Sequence, residues 1–88
     1  MTADTRRARF RDLHERDEIF VMPNPWDAGS ARLLAAAGFP ALATTSSGLA
    51  MVHGRLDQTV TRDELVAHVA VLASATPLPL HVDAERCY

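Results

Sequence analysis

The sequence predicts an α/β fold in which helices cover a parallel sheet. Two observations support this class. Short apolar runs alternate with helical segments in the order α-β-α-β-α-β, and the first of these runs is apolar on both faces, as in strands buried on both sides. With 48% hydrophobic and 23% charged residues, the composition is that of a globular protein. The 88 residues make one small domain at most, or a piece of a larger one.

The first helix is predicted over residues 4–15, where a few apolar residues recur with a weak helical period. Residues 19–22 (Ile-Phe-Val-Met) follow as the first predicted strand, because the run is short, β-branched and aromatic, and Pro23 closes it. We expect this strand to be buried.

The second helix is predicted over residues 28–37, with Asp27 as its N-cap, since the carboxylate can accept from free N–H groups of the first turn. Gly38 suits the position after the helix, and Pro40 prevents its continuation. Residues 41–45 are the second predicted strand.

Residues 46–48 (Ser-Ser-Gly) are predicted to be a turn, and residues 49–60 a loop in which residues 50–53 can form a short helical turn. Thr61 and Glu64 then form a capping box, in which each side chain can bind the other residue's backbone N–H. The apolar residues that follow have the best helical spacing in the chain, so they predict the third helix.

The third strand begins at Pro79 and runs into Asp83, two positions before Glu85. If the strand continues, both carboxylates point the same way at its carboxyl end. Two convergent carboxylates repel each other unless a proton or cation lies between them, and a hard cation such as Mg²⁺ suits them. The same spacing also describes an acidic turn in water.

Polar residues follow each predicted strand, and parallel strands bring these residues to one edge of the sheet. The hydroxyl and N–H groups of residues 44–48 suit a small oxyanion, a carboxylate or phosphonate, that a divalent cation would bridge. Asp57, in the long loop, could contact such a cation through water. An ordinary polar turn and a surface acid are the alternatives for these two features.

The net charge and the cysteine content limit the classes of binding partner and the cellular compartment that we expect. A formal net charge of −2 gives no general attraction to nucleic acid or to anionic membranes. The single cysteine, Cys87, excludes an intrachain disulfide and fits a reducing compartment. With no apolar signal core and no apolar run near the ~20 residues that span a bilayer, we expect a cytoplasmic protein.

Other site types have no support in the sequence. No Cys/His pairing of zinc-binding type, dinucleotide-binding glycine motif, phosphate loop or nucleophile elbow is present. Three strands leave two open sheet edges, and a (β/α)₈ barrel needs roughly 250 residues. We therefore expect a fragment or a truncated reading frame, with a complete small domain or an obligate oligomer as the alternative.

Three segments, taken in order and spacing, resemble the isocitrate lyase/phosphoenolpyruvate mutase superfamily. They are residues 10–14 with 21–31 (FRDLH and VMPNPWDAGSA), residues 37–48 (AGFPALATTSSG) and residues 82–88 (VDAERCY). The nearest likeness is to the mutase-like branch, which includes 2-methylisocitrate lyase and oxaloacetate decarboxylase. The resemblance extends from about Phe10 to Tyr88.

The resemblance implies an N-terminal helix plus the first three β/α strands of a (β/α)₈ TIM barrel, with the barrel incomplete. It implies a lyase or mutase that uses Mg²⁺, or Mn²⁺ in its place, to make or break C–C or C–P bonds of small α-oxo or α-hydroxy carboxylates. An enolate-like pyruvate species is the expected intermediate, and full-length members are expected to be homo-oligomers.

The resemblance also implies roles for individual residues. Asp83 and Glu85 match the metal-binding acids, and Asp57 resembles the catalytic loop acid of the metal–water network. The matching substrate-binding segment is Thr45, Ser46, Ser47, Gly48 and Leu49.

Some positions depart from the family pattern. Cys87 stands where glycine is common, and Leu56 where proline often precedes the loop acid. The chain stops before the gating loop with its catalytic cysteine and before a later glutamate and arginine, so we expect these 88 residues alone to be inactive. The alternatives are a non-catalytic remnant of such an enzyme and a flavodoxin-like or receiver-like binding module.

Overall fold

The computed structural model describes residues 2–88, which form an α/β fold with four helices and two short strands. In chain order the elements are α1 (Ala3–Glu15), α2 (Ala28–Ala36), β1 (Leu42–Ala43), α3 (Ser46–Val52), α4 (Arg62–Ala75) and β2 (Leu80–His81). Within residues 2–88, no helix combines the length and apolar character needed to cross a bilayer.

The two strands pair in parallel, as the alternation of strands and helices predicts. Leu42 lies opposite Leu80, and Ala43 lies opposite His81. The N–H of Thr44 extends the ladder by donating to the His81 carbonyl at 2.8 Å. Because the strands are parallel, the segments that follow them leave the sheet at the same edge.

The predicted first strand, residues 19–22, is wrong: this segment forms no strand. The next residues do lie beside β1, since the N–H of Ala43 donates to the Pro23 carbonyl at 3.0 Å. Pro23 and Pro25 have no N–H to return, so a ladder cannot form there. Ile19 is also 95% exposed, so burial does not hold the run in a sheet.

Two apolar clusters form the core, and α4 contributes to both. The first joins α2, β1 and α4 through Ala31, Leu42 and Leu72. The second joins α3, the following loop and α4 through Leu49, Ala50, Val60 and Leu65. Full burial of a leucine contributes about 1.5–3 kcal/mol. The helical spacing predicted for α4 is confirmed by the burial of Leu65 and Leu72.

Both predicted helix caps are confirmed. The Asp27 side chain accepts from the N–H of Ser30 at 2.8 Å, and the Ser30 hydroxyl accepts from the N–H of Asp27 at 3.1 Å. Thr61 and Glu64 form the capping box expected for α4, with bonds of 3.2 and 3.0 Å. Gly38 follows α2 with φ of +98°, a conformation that glycine adopts freely.

Helix α1 contacts β2 and the end of α4. Leu80 packs with the first apolar cluster, whereas the next residue, His81, stacks on the Phe10 ring with centroids 5.8 Å apart. Arg6 fixes the same helix further by donating to the carbonyls of Ala73 at 2.9 Å and Leu78 at 3.3 Å. Arg6 therefore anchors α1 to the end of α4 and to the segment that leads into β2.

Candidate active site

The segment after β1 is the first turn of a helix, so the prediction that Ser46-Ser47-Gly48 form a turn leading into a loop is wrong. Helix α3 begins at Ser46, with Thr45 as its N-cap. The Thr45 hydroxyl accepts from the N–H of Gly48 at 3.2 Å. A threonine cap followed by small and apolar residues is sufficient to start a short helix.

Gly48 lets the Trp26 ring approach this turn closely. A Cβ at position 48 would lie 2.5 Å from Trp26 Nε1 and 2.6 Å from Thr45 Cγ2, well inside van der Waals contact. Trp26 comes from the connection before α2, so the contact joins two of the predicted strand-end segments. The sequence did not predict the contact between Trp26 and Gly48, because it did not predict that Gly48 lies in a helix.

Asp83 joins the segments that follow β1 and β2. Its two carboxylate oxygens accept from the N–H of Ser46 at 3.1 Å and from the N–H of Glu85 at 3.0 Å. Its own N–H donates to the Thr44 hydroxyl at 2.8 Å. The N–H groups of Glu85 and then Ser46 lower the pKa of Asp83 below its ordinary value, because they stabilise the charged form. Asp83 is therefore a fixed, ionised carboxylate at the sheet edge.

Glu85 lies in a turn, so strand periodicity does not determine where it points. Strand β2 ends at His81, and Glu85 has φ of +54°. One of its carboxylate oxygens accepts from the Tyr88 hydroxyl at 2.8 Å. The other, Oε1, is buried and has no hydrogen-bond partner within residues 2–88. A buried polar atom without a partner is costly and marks a place where a ligand would be stabilising.

Asp57 remains exposed in the loop between α3 and α4. It accepts from the N–H of the next residue, Gln58, at 2.9 Å. No group of three His, Cys, Asp or Glu side chains in the described chain converges closely enough to hold a metal ion. Asp57 thus does not join Asp83 and Glu85 in one ligand cluster.

In the predicted substrate-binding segment, residues 45–49, some backbone N–H groups are hydrogen-bonded within the protein and others are free to bind an anion. Leu49 is 3% exposed, and its N–H donates to the Thr45 carbonyl at 3.0 Å within the helix. The N–H groups of Ser46 and Gly48 are also engaged. Ser47 is exposed, and its N–H makes no hydrogen bond with any residue from 2 to 88. Ser47 is therefore the residue of this segment with both a hydroxyl and an N–H free for an anion.

The donor set fits the Mg²⁺ ion that the resemblance implies. Asp83 is ionised and Glu85 has a buried oxygen without a partner. Mg²⁺ is commonly held by one or two carboxylates together with several waters, so two side chains suffice. Asp83 and Glu85 are the residues that would hold it.

The chain is similar in sequence to known proteins. The sequence profile of the family described as phosphoenolpyruvate phosphomutase matches residues 10–88. Two Mycobacterium tuberculosis proteins, the uncharacterized proteins Rv1998c and MT2054, are each 39% identical over 77 residues. That alignment covers 86% of this chain but only 29% of each relative.

Solved structures give the same likeness. A proposed lyase/mutase from Burkholderia cenocepacia J2315 matches with a TM-score of 0.89 and 50% identity over 91% of this chain and 29% of its own. A proposed phosphonomutase from the same organism gives 0.83 and 39%, over 90% and 32% of the two chains. The 2,3-dimethylmalate lyase, a PEP mutase/isocitrate lyase superfamily member, gives 0.79 and 32%, over 96% and 30%.

The chain thus spans about three tenths of the length of the proteins that it matches. The profile match covers nearly all of its residues, and the structural likeness is close at identities of 32–50%. The resemblance drawn from the sequence is confirmed: the chain belongs to the phosphoenolpyruvate phosphomutase family, within the PEP mutase/isocitrate lyase superfamily.

Proposed function

We propose that this chain forms the first part of a Mg²⁺-dependent lyase or mutase site acting on C–C or C–P bonds of small α-oxo or α-hydroxy carboxylates. Family membership supports this reaction class, as do relatives described as a lyase/mutase, a phosphonomutase and 2,3-dimethylmalate lyase. Because the chain spans about three tenths of those proteins, the proposal concerns a part of the site.

One observation carries the proposal: the Asp83 carboxylate accepts hydrogen bonds from the N–H groups of Ser46 and Glu85, and a buried oxygen of Glu85 has no partner in the described part of the chain. The bonds hold Asp83 ionised, and they fix it beside the turn that carries Ser47. A cation that bridges the protein to an oxyanion requires negatively charged oxygen ligands and nearby groups that bind the anion. The Asp83 carboxylate and the buried Glu85 oxygen are such ligands, and Ser47 has the anion-binding groups.

In this proposal each residue has a defined task. Asp83 and Glu85 hold the ion, Mn²⁺ being the alternative to Mg²⁺, and Asp57 contacts it through water. When bound, the ion supplies positive charge against the negative charge that develops on the substrate's oxygens. The N–H and hydroxyl of Ser47 bind the substrate's carboxylate or phosphonate. The other predicted substrate residues, Thr45, Ser46, Gly48 and Leu49, shape the turn.

Calorimetric titration with Mg²⁺ tests the metal assignment. We expect binding to the wild-type chain and its loss in Asp83→Ala, which removes the ionised oxygens. Asp17→Ala is the matched control, because Asp17 is an exposed acid without a side-chain hydrogen bond in the described chain. Equal affinity in wild type and Asp83→Ala would contradict the assignment.

A second titration, with pyruvate, tests the anion site. Binding is expected to require Mg²⁺, since the ion bridges the carboxylate to the protein, and to weaken about 10-fold in Ser47→Pro, which lacks the free N–H. Proline is tolerated in the first turn of a helix, so α3 should persist by circular dichroism. Pyruvate binding that is insensitive both to Mg²⁺ and to Ser47→Pro would place the anion elsewhere.

A further inference from the structure

We propose that Tyr88 is a positioning residue whose hydroxyl fixes the Glu85 carboxylate and fastens the turn of residues 83–88 to the loop of residues 55–60. Its consequence for metal binding rests on the function proposed above. The inference adds a residue to that site and a physical link between the turn and the loop that carries Asp57.

The contacts of the Tyr88 hydroxyl carry the inference. It lies 2.8 Å from Glu85 Oε2 and 3.2 Å from the Val60 carbonyl oxygen. A phenol has one hydrogen to donate, and both neighbours are acceptors. The two acceptors therefore share the single hydroxyl hydrogen, and the nearer, charged Glu85 carboxylate is its main acceptor. The single hydroxyl thus joins the turn to the loop.

Glu85 is held at two points by this arrangement. Its N–H donates to Asp83 at 3.0 Å, and its Oε2 accepts from Tyr88 at 2.8 Å. With backbone and one carboxylate oxygen fixed, the direction of the remaining oxygen, Oε1, is fixed too. That oxygen is the buried one without a partner, so Tyr88 sets the orientation of the atom that the proposed function assigns to the cation.

A second bond joins the same two segments. Arg86 donates to the side-chain oxygen of Gln58 at 2.8 Å, and the N–H of Gln58 in turn donates to Asp57. Both cross-links connect residues 28 positions apart, so neither arises from local turn geometry. Asp57 thus lies one residue before Gln58, which binds Arg86, and three residues before Val60, which binds Tyr88.

The strained backbone of the turn agrees with this role. Glu85, Cys87 and Tyr88 have φ of +54°, +65° and +47°, which costs non-glycine residues about 1–2 kcal/mol each. Such conformations persist where surrounding contacts hold them. The contacts here include the bonds to Asp83, Val60 and Gln58, and the bond from the Cys87 N–H to the Ala84 carbonyl at 2.7 Å.

Tyr88→Phe is the sharpest test, because it removes the hydroxyl and keeps the ring. We expect hydrogen exchange of the amides of residues 57–60 to rise several-fold while amides of α4 stay unchanged, and Mg²⁺ affinity to fall about 10-fold. Cys87→Ala is the matched control: it alters an exposed side chain of the same turn and leaves both cross-links, so both readouts should stay at wild-type values.

A double-mutant cycle separates positioning from general loosening. In a Glu85→Gln background, Tyr88→Phe should lower Mg²⁺ affinity no further, because the carboxylate that it orients is already altered. Additive losses, or an unchanged affinity in Tyr88→Phe, would overturn the positioning role. If wild type binds no Mg²⁺, the proposed function fails, and exchange at residues 57–60 still decides whether Tyr88 fastens the loop: wild-type exchange in Tyr88→Phe overturns that link.

Discussion

The turns that follow β1 and β2 are joined through Asp83, yet they are built in opposite ways. In residues 44–48 the Thr45 cap follows ordinary helix chemistry, and no non-glycine residue there has positive φ. In residues 83–88 three non-glycine residues have positive φ, and the buried Glu85 Oε1 has no hydrogen-bond partner among residues 2–88.

The difference shows which of the two turns contains energetically unfavourable backbone conformations and an unpaired buried atom. The turn after β1 is capped by a neighbouring residue, Thr45, whereas the turn after β2 is also bonded to Gln58 and Val60 of the loop before α4. Strain and an unpaired polar atom in one place are typical of functional sites. The first turn therefore acts as a scaffold for the second.

The largest effect is expected for Gly48→Ala, which tests whether the scaffold is rigid. The new Cβ would lie 2.5 Å from the Trp26 indole, so either the ring moves or the helix shifts. We expect a loss of about 2–3 kcal/mol in the free energy of unfolding and a changed emission of Trp26, the single tryptophan. Urea unfolding monitored by fluorescence measures both.

Gly29→Ala is the control for that substitution. Gly29 also lies in the first turn of a helix, but the nearest atom to its added Cβ, an Asp27 oxygen, is 3.7 Å away. Alanine has the higher helix propensity, so stability should stay the same or rise by up to about 1 kcal/mol. Equal effects at both glycines would mean that the Trp26 contact does not constrain the first turn.

An intermediate effect is expected for Asp83→Asn, which weakens the link between the two turns. The pKa of Asp83 is lowered from 3.8 on folding, so its contribution is fully present above pH 3.8 and is lost as pH falls through the lower folded-state pKa. The variant should lose about 1–2 kcal/mol at pH 6, and the difference from wild type should shrink below pH 3.8.

Thermal unfolding of both proteins at pH 6 and pH 3 measures this difference. Asp17→Asn changes the net charge equally but removes an exposed acid without a side-chain bond in the described chain, so it serves as the control. A stability difference for Asp83→Asn that does not depend on pH would show that charge is not what links the two turns.

The smallest effect is expected for Cys87→Gly, which relieves strain in the second turn. Cys87 is exposed and has φ of +65°, so glycine removes the backbone penalty without loss of packing. We expect a gain of about 0.5–1 kcal/mol after allowing for the greater entropy of glycine in the unfolded chain. Cys87→Ala keeps the penalty, so a gain of the same size there would contradict this account.

Much of the fold could be predicted from local rules. The caps at Asp27 and Thr61, the spacing of apolar residues in α4 and the parallel pairing of β1 with β2 are all confirmed. Each depends on residues a few positions apart, or on the alternation of helices and strands. The segment 19–22 misled the prediction because its composition favours a strand, while the missing N–H groups of the following prolines prevent a ladder.

The candidate site was predictable only in its residue types. The sequence alone determined the family and the acidic pair after the last strand. Tertiary structure decided which groups are engaged: Ser46 bonded to Asp83, Leu49 in the core, and Glu85 held by Tyr88.

The physical reason is the range of the interactions. A cap or an amphipathic face is set by neighbours within one or two helical turns, so the sequence displays it. The bonds that shape the acidic turn join residues 28 and 37 positions apart, and their partners become neighbours only after β1 and β2 pair. The sequence determined which acids are present, and the packed fold determined which oxygen remains free.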